Sequence, residues 1–470
     1  MRNRNAKISA SSPQLLFKVV FWVKKLLTRA QMTRATVYGV VTVSLRFLTV
    51  PVSAILIMAR FTPELQGYYY TFGSVLALQI FVELGFSNIV TYFAGHEWAR
   101  LSLDPQGRIV GEADALSRLI SLGRVAIRWY LIGGAIVAIG LGLGGYVFFS
   151  QSPDAGIVWV GPWFVLCILS GINLVSMPIW SILQGCGQVS QVYSFRMIGT
   201  LLSALTTWVA IYYGARLWVV AISTTVLIVW SAIFLVWRYR HFFRPFFSIP
   251  TGPRVSWWGE VWQVQWRTAL SYLSGYFTSQ ALTPVLFHLH GSALAGQFGM
   301  TWSIVMGVAS IAAMWSTPRG PQFAVMIVRK EYKTIDQLLQ RIIKASLGVL
   351  LLGGLGVWLL VYCLNMLNPL LAKRLLPLLP TALLLLGNAV ANAWHPTTVY
   401  LRAHKREPYV VISIISGIMI GLSSFVLGMK FAANGVAIAF LASNLILLPW
   451  GLKIFIRCRH EWHGELIKSL

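Results

Sequence analysis

Residues 37–59 read VYGVVTVSLRFLTVPVSAILIMA, a run in which Arg46 is the only charged residue. A helix needs about 20 mostly apolar residues to cross the hydrocarbon core of a bilayer, so this run predicts a membrane-spanning helix. Further runs of the same kind follow along the chain. The twelve predicted spans lie at 37–59, 68–94, 129–149, 157–184, 197–214, 217–237, 268–290, 293–317, 345–365, 378–401, 409–428 and 435–452.

The composition agrees with a membrane protein. The chain has 470 residues, of which 57 % are hydrophobic and 11 % are charged, whereas a soluble domain carries roughly 25 % charged residues. Its mean hydropathy is +0.70. These values exclude a soluble enzyme. The four cysteines lie far apart and form no CxxC motif, so the sequence indicates neither a disulfide framework nor a zinc site.

The charges are strongly unbalanced, with 38 Lys and Arg against 13 Asp and Glu and a formal net charge of +25. We find 32 of these cations in the basic segment 1–36, the tail 453–470 and the loops on the same side, and 5 in the opposite loops. Basic loops face the cytoplasm, so we expect both termini there. Segment 1–36 is expected to be a cytoplasmic or interfacial helix.

A loop at 238–267 contains three prolines and divides the spans into halves of six. The N-terminal half is predicted at 37–237 and the C-terminal half at 268–452. A weak repeat supports this division, because the turn at 59–67 corresponds to the turn at 288–296 and equates Gly67 with Gly296. Two halves of like topology around a site at the membrane midplane are typical of transporters. We therefore predict an all-α polytopic membrane protein with a central polar cavity.

Five spans carry polar residues at the spacing of one helix face. Such stripes indicate a polar lumen between the halves, with Gln79, Asn388 and Asn392 as amides that contact a substrate. They are also the pattern of polar residues that hydrogen-bond neighbouring helices, and the sequence leaves both readings open. The stripes are Thr42, Arg46, Thr49 and Ser53; Gln79, Glu83, Ser87 and Thr91; Arg267, Ser271, Ser274 and Thr278; Ser303, Gly307, Ser310 and Thr317; and Thr381, Asn388, Asn392 and His395.

Arg46 and Glu83 lie at similar depths in spans one and two, where a charge costs at least ~2.5 kcal/mol. They form either a neutralised structural pair or a site in which Arg46 binds an anionic substrate and Glu83 is its counter-ion and a proton site. Arg267 and Arg319, at the cytoplasmic ends of spans seven and eight, are either topological anchors or part of a cationic path leading to Arg46. His395 is a further candidate for proton coupling.

The sequence contains no P-loop, GxSxG or HExxH motif. Gly140, Gly142 and Gly145 match GxGxxG, but they lie in an apolar span, so we interpret them as positions of close helix packing. We therefore predict a protein that is not an enzyme and that needs no cofactor or metal beyond coupling to protons or sodium ions.

Several short motifs resemble one family of membrane proteins. They are Ser44-Leu45-Arg46-Phe47-Leu48, Thr62-Pro63-Glu64-Leu65-Gln66-Gly67-Tyr68, Glu83-Leu84-Gly85-Phe86-Ser87 and Leu183-Gln184-Gly185-Cys186-Gly187-Gln188. The chain resembles the polysaccharide exporters and O-antigen repeat-unit flippases, which are related to multidrug and toxin extrusion transporters and to lipid II flippases. The resemblance implies a cavity lined by spans one, two, seven and eight. The cation and acid of the lipid II flippases map onto Arg46 and Glu83, although those proteins have fourteen spans.

The resemblance further implies a substrate and a location. The substrate is a polyprenyl-pyrophosphate-linked oligosaccharide, moved by alternating access from the cytoplasmic to the outer leaflet of a bacterial inner membrane. Membrane lipids and other polysaccharide-assembly proteins are the expected partners, and nucleic acid is not. The alternatives are a proton- or sodium-coupled multidrug antiporter of the same fold, a membrane enzyme that makes glycans, and a scaffold for glycan assembly.

Overall fold

The computed structural model describes residues 34–151, 156–404 and 406–464. Helices dominate the first half of this region, together with one short antiparallel hairpin. The elements are α1 (Arg34–Arg60), α2 (Pro63–Glu83), α3 (Phe86–Trp98), β1 (Leu101–Leu103), β2 (Ile109–Gly111), α4 (Ala113–Ser150), α5 (Val160–Gly185), α6 (Val189–Tyr212) and α7 (Trp218–Phe243). The hairpin was not predicted; Asp104 closes it by accepting hydrogen bonds from the amides of Gln106 and Arg108.

The second half continues after short turns at Arg244–Phe247 and Trp257–Val261. Its helices are α8 (Trp262–Ser279), α9 (Leu282–His290), α10 (Ser292–Ala313), α11 (Gly320–Val328), α12 (Tyr332–Leu367), α13 (Pro369–Ala372), α14 (Leu378–Ala393), α15 (His395–Ala403) and α16 (Val410–Gly464). Helix α16 is broken at Ala432, which has φ 51° and ψ −132°.

Every predicted span coincides with helical structure, and the all-α polytopic fold is confirmed. Within the described residues, seven helical segments are long and apolar enough to cross a membrane by themselves, or eight if the bent pair α2–α3 is one span. Of the remaining predicted spans, the first lies in α1, of which Leu48–Arg60 counts as a shorter apolar helix. Two others lie in the broken pairs α8–α9 and α14–α15, and the last two predicted spans share α16 on either side of its break. The protein is therefore a multi-pass membrane protein.

Two of the helix breaks share one feature, a tryptophan indole that donates to a backbone carbonyl beside the break. Helices α2 and α3 meet at 44° through Leu84 and Gly85, whose φ values of 48° and 69° lie in the left-handed region, and the Trp129 indole donates to the carbonyl of Val82 (3.1 Å). At the α8–α9 break the Trp302 indole donates to the carbonyl of Ser279 (2.9 Å). A broken helix frees backbone carbonyls that must find partners in a membrane, and here an indole supplies one at each break.

The end of the bundle that carries Phe61 and Gly291 is tightly closed; we call it the turn end. Helices α2 and α10 touch there, and a Cβ atom on Gly67 would lie 2.0 Å from the Ser292 carbonyl oxygen. The Gln66 amide donates to the carbonyls of Gly296 (2.8 Å) and Arg374 (3.0 Å). The first and second halves of the chain therefore meet in backbone contact at this end.

At the other end, which we call the linker end, residues 244–261 pack onto α4. The amide of Gly252 donates to the Ser117 hydroxyl and that of Val255 to the Ser121 hydroxyl, both at 2.9 Å. The Trp257 ring stacks on that of Trp129, with 4.9 Å between the ring centroids. This contact adds an aromatic pair to the packing of the segment 244–261 on α4.

An ion-pair network holds this segment in place. The buried Glu97 carboxylate, 2 % exposed, accepts from Arg100 and from Arg118, both at 2.8 Å. Arg118 also donates to Glu260 at 2.7 Å, and Arg100 reaches Glu112 at 3.3 Å. The network therefore joins α3 and α4 to the turn that precedes α8.

The carboxyl group of Glu260 gives this end a predictable pH dependence. The hydrogen bond from Arg118, and then that from the Ser256 amide, lower the pKa of Glu260 below its ordinary value of 4.5. A lowered folded-state pKa stabilises the fold above the unfolded pKa, and this contribution disappears as the pH falls through the folded value. Glu260 is 35 % exposed, so we expect an effect below about 1 kcal/mol.

The measurement is the thermal midpoint of wild type and Glu260→Gln in detergent between about pH 7 and pH 3.5. Wild type is expected to be the more stable protein at the upper end of this range, and the difference is expected to vanish at the lower end. A constant difference across the range would contradict an ionised Glu260 in the network.

Two of the three glycines of the GxGxxG match pack against neighbouring helices, as predicted for that motif. A Cβ on Gly145 would lie 2.2 Å from the ring of Trp163, and one on Gly142 would lie 3.3 Å from Phe164, whereas a Cβ on Gly140 would meet nothing within 4 Å.

Candidate functional site

Three adjoining cavities lie inside the bundle. The N-half cavity, about 660 Å³, is lined by residues of α1, α2, α3, α5, α6 and α7. The central cavity, about 540 Å³, lies where α2 and α5 face α8 and α15. The C-half cavity, about 290 Å³, lies among α8, α14, α15 and α16. Glu83 lines both the N-half and the central cavity, and Arg402 lines both the central and the C-half cavity.

The two broken helices supply most of the polar wall of the central cavity. Gln79 and Glu83 come from the last turns of α2, while Ser279 and Gln280 come from the α8–α9 break. Discontinuous helices with free backbone groups are a common way to build a substrate site at the membrane midplane. The site therefore lies between the first and second halves of the chain, where the breaks in two helices face each other.

Glu83 is the most distinctive group in this arrangement. It ends α2 at the break, is half-buried and accepts a hydrogen bond from the Ser87 hydroxyl. Among the described side chains that line the N-half and central cavities, it is the only carboxylate. The structure thus places the predicted Glu83 at the junction of two cavities.

For two of the predicted cations the structure describes only the position of the backbone. Arg46 lies in the middle of α1 and Arg267 in the second turn of α8, and their side chains lie outside what the structure describes. On α1, Thr49 and Ser53 line the N-half cavity. Whether Arg46 pairs with Glu83 or binds a substrate remains a prediction from the sequence.

The predicted amides are divided between two cavities. Gln79 lines the central cavity, whereas Asn388 and Asn392 line the C-half cavity. Asn388 is 1 % exposed and donates to the carbonyl of Val305 (3.4 Å), and the Asn392 amide donates to the Asn388 side chain (2.9 Å). Asn388 therefore joins α14 to α10, and Asn392 hydrogen-bonds to Asn388. Both residues also border the C-half cavity.

Arg319 and His395 lie away from these walls. The exposed Arg319 donates to Gln322 at 2.8 Å. The Nδ1 atom of His395 lies 2.9 Å from the Ser316 hydroxyl, which is fully buried. Neither residue lines any of the three cavities, so their proposed roles remain predictions.

Many hydroxyls of the predicted stripes donate to a carbonyl of their own helix. Thr42 donates to Tyr38 (2.7 Å), Ser274 to Leu270 (2.8 Å) and Ser303 to Gly299 (2.8 Å). Thr91 also reaches the carbonyl of Ser181 on α5 (3.2 Å). Both interpretations of the stripes therefore apply, because some stripe residues line a cavity and others hydrogen-bond to a neighbouring helix.

A set of cavity-lining residues on α5, α6, α8, α15 and the α8–α9 break was not predicted from the sequence. A signal was present in α6, because Arg196, Thr200, Ser203 and Thr207 follow the same spacing as the stripe of α1. The predicted span began at residue 197, which left Arg196 in a loop. The missed residues include Asn173, Ser176, Arg196, Thr200, Ser203, Thr207, Tyr272, Gln280 and Arg402.

The site presents no cluster that would hold a metal. Within the described residues, no group of three or more His, Cys, Asp and Glu side chains is close enough to bind a metal ion.

Solved structures of transporters share this fold. An inward-facing multidrug resistance MATE family transporter of the MOP superfamily matches with a TM-score of 0.64 and 15 % identity, over 89 % of this chain and 98 % of that chain. The inward closed conformation of the lipid II flippase MurJ matches with a TM-score of 0.61 and 11 % identity, over 91 % and 90 %. An outward-facing MATE family transporter matches with a TM-score of 0.53 and 14 % identity, over 92 % and 97 %.

At these identities the likeness establishes the fold alone, which is the fold seen in these MATE transporters and in the lipid II flippase. No family model and no curated protein sequence matches the chain.

Proposed function

We propose that the protein moves a polyprenyl-pyrophosphate-linked oligosaccharide from the cytoplasmic to the outer leaflet of the bacterial inner membrane. The observation that carries this proposal is the pair of adjoining cavities at Glu83, whose walls are rich in hydroxyl and amide groups. Drug-sized ligands occupy cavities of about 300–1,000 Å³ that are mostly apolar. Walls so rich in hydroxyl groups suit a bulky, hydroxylated ligand better than they suit an apolar drug.

The fold and the position of Arg46 support the same proposal. Arg side chains recognise a pyrophosphate headgroup, and Arg46 lies in the middle of α1, whose Thr49 and Ser53 line the N-half cavity. One of the solved structures with this fold is a lipid II flippase. In this mechanism the linker end faces the cytoplasm and admits the headgroup while the lipid tail stays in the bilayer. The halves then separate at the turn end and release the headgroup outside.

A second candidate is a proton- or sodium-coupled multidrug antiporter, and one observation favours it. Glu83 is a carboxylate inside a predicted span and borders a cavity, and such a group can exchange a proton for an organic cation. Several solved structures with this fold are multidrug transporters.

The deciding experiment uses proteoliposomes and a short-chain polyprenyl pyrophosphate oligosaccharide with a fluorescent sugar. We expect wild type to move the probe across the bilayer and Arg46→Ala to reduce the rate to background, because the pyrophosphate loses its proposed cation. The matched control is Arg240→Ala, since Arg240 is exposed and bonds only its neighbour His241 among the described contacts.

Each outcome has a clear reading. Movement by wild type and Arg240→Ala but not by Arg46→Ala supports the flippase proposal. No movement by wild type, with or without a proton or sodium gradient, contradicts it. Efflux of an ethidium-type dye that is lost in Glu83→Gln would then establish the antiporter. Equal movement by wild type and Arg46→Ala would make Arg46 a structural partner.

A further inference from the structure

The N-half cavity contains a cation that the sequence analysis assigned to a loop. Arg196 lies seven residues inside α6, or about 10 Å along the helix from its first residue. Its side chain is exposed and lines the N-half cavity together with Thr200, Ser203 and Thr207, which follow it at helical spacing. A complete polar face of α6 therefore borders the cavity, with a guanidinium at the end nearest the linker end.

This face of α6 lies beside the polar face of α1. The two helices run in the same direction: a Cβ on Gly39 would lie 3.1 Å from the Tyr193 ring, and the Trp208 indole donates to the Ser53 hydroxyl at 3.0 Å. This register places Arg196 level with Thr42, one helical turn closer to the linker end than the backbone of Arg46. Arg196 is thus the first of two cationic positions along this wall.

Three hydroxyls of the cavity present their oxygen atoms as acceptors. Ser176 donates its proton to the carbonyl of Asn173 (2.7 Å), Ser181 to that of Met177 (3.1 Å) and Thr200 to that of Arg196 (2.8 Å). A hydroxyl that has given its proton to the helix can still accept hydrogen bonds. Together with the Glu83 carboxylate, these oxygens suit a ligand with many hydroxyl donors.

Arg196 supplies donors at the other end of the same space. Its guanidinium carbon lies 5.7 Å from the centroid of the Tyr193 ring. A guanidinium matches the geometry of a phosphate. Trp180 and Phe195, whose rings stack with their centroids 3.8 Å apart, add a flat apolar surface to the same cavity.

We infer that the N-half cavity binds a saccharide through its attached phosphate, with Arg196 on the phosphate and with Glu83 and the hydroxyl oxygens on the sugar. This inference rests on the proposed function and specifies how the ligand is oriented in the cavity. The phosphate lies toward the linker end, near the level of lipid headgroups, and the sugar extends inward toward Glu83. The donors and acceptors of the cavity match such a ligand in the same order.

The test measures binding to the purified full-length protein in detergent with three probes. These are a short-chain polyprenyl pyrophosphate disaccharide, the same lipid pyrophosphate without sugar, and the methyl glycoside of the disaccharide. Arg196→Ala is expected to weaken the binding of the first two probes roughly ten- to a hundredfold and to leave the binding of the third unchanged. Arg196→Lys is expected to recover part of the loss, because it restores the charge but not the planar guanidinium.

A second variant addresses the sugar. Asn173→Leu replaces a cavity amide with a side chain of similar size. We expect it to weaken the binding of the pyrophosphate disaccharide and of the methyl glycoside, but not the binding of the sugar-free lipid pyrophosphate. Arg240→Ala is the matched control, and Arg196→Gln replaces Arg196→Ala if the latter is not monodisperse. Vesicles of anionic phospholipid, added as a competitor, separate a site for this ligand from a general headgroup site.

The outcomes separate this inference from the proposed function. If wild type binds the pyrophosphate disaccharide and Arg196→Ala binds it equally well, the inference is wrong and the proposed function stands. If Arg196→Ala weakens all three probes equally, Arg196 is structural and the inference is also wrong. Full competition by anionic phospholipid makes the site a lipid headgroup site. If wild type binds none of the probes, both proposals fail.

Discussion

Gly67→Ala is expected to open the turn end and to reduce transport by at least about fivefold. A Cβ at this position would lie 2.0 Å from the carbonyl oxygen of Ser292 and 2.9 Å from its Cα. Both atoms belong to backbone, so no side-chain rotation can relieve the clash, and α2 must move away from α10. Overpacking of this kind costs about 1–3 kcal/mol, which shifts the population of the closed state roughly five- to 150-fold.

The control is Gly73→Ala on the same helix, where the added Cβ would meet nothing within 4 Å. The measurement is the distance between spin labels placed on α2 and α10 near the turn end, together with the transport rate in proteoliposomes. We expect longer distances and slow transport for Gly67→Ala, and wild-type behaviour for Gly73→Ala. If both variants behave like wild type, the contact is not part of the transport cycle.

This contact was partly predictable from the sequence. The repeat equated the turn at 59–67 with the turn at 288–296, and Gly67 lies against Gly296, where a Cβ would be 2.7 Å from the Gly67 amide nitrogen. Hydropathy likewise predicted where the helices lie, because about 20 apolar residues are needed wherever a chain crosses a bilayer. What hydropathy does not specify is how a helix ends or breaks, as the short α2–α3 break at Leu84 and Gly85 illustrates.

The residues around the site were harder to predict. Glu83 was identified because a charge inside a span is costly. Arg196 was missed because a boundary error of a few residues moved it from a span into a loop. The stripe containing Asn388 and Asn392 fixed their helix face, but periodicity cannot distinguish a face toward a cavity from one toward a neighbouring helix. The structure places these two residues at both.

The ion-pair network at the linker end shows the same limit. Arg118 and Glu260 are separated by 142 positions in the sequence, and nothing local in either segment indicates the pairing. Sequence alone presents Arg118 as one of many cations on the basic side and Glu260 as one acid in a loop. Only the packing of residues 244–261 on α4 brings them together.

Arg118→Met is expected to destabilise the protein by about 3 kcal/mol, the largest stability effect that we predict. Glu97 is 2 % exposed and Arg118 is 24 % exposed, so removing the arginine leaves a buried carboxylate with Arg100 as its remaining strong partner. It also frees Glu260 and with it the turn before α8. The measurement is thermal and denaturant unfolding in detergent, followed by size-exclusion chromatography.

The double variant Glu97→Met/Arg118→Met identifies the physical cause. Breaking a buried ion pair leaves one charge uncompensated, whereas replacing both partners with apolar side chains of similar size is often neutral. Arg100 keeps Glu112, and Glu260 is exposed enough to be solvated, so the double variant should recover most of the loss. Arg457→Ala, which breaks an exposed pair with Glu461, should have no measurable effect. If the double variant is as unstable as Arg118→Met, then Arg118 acts by fixing the turn before α8 rather than by compensating the charge of Glu97.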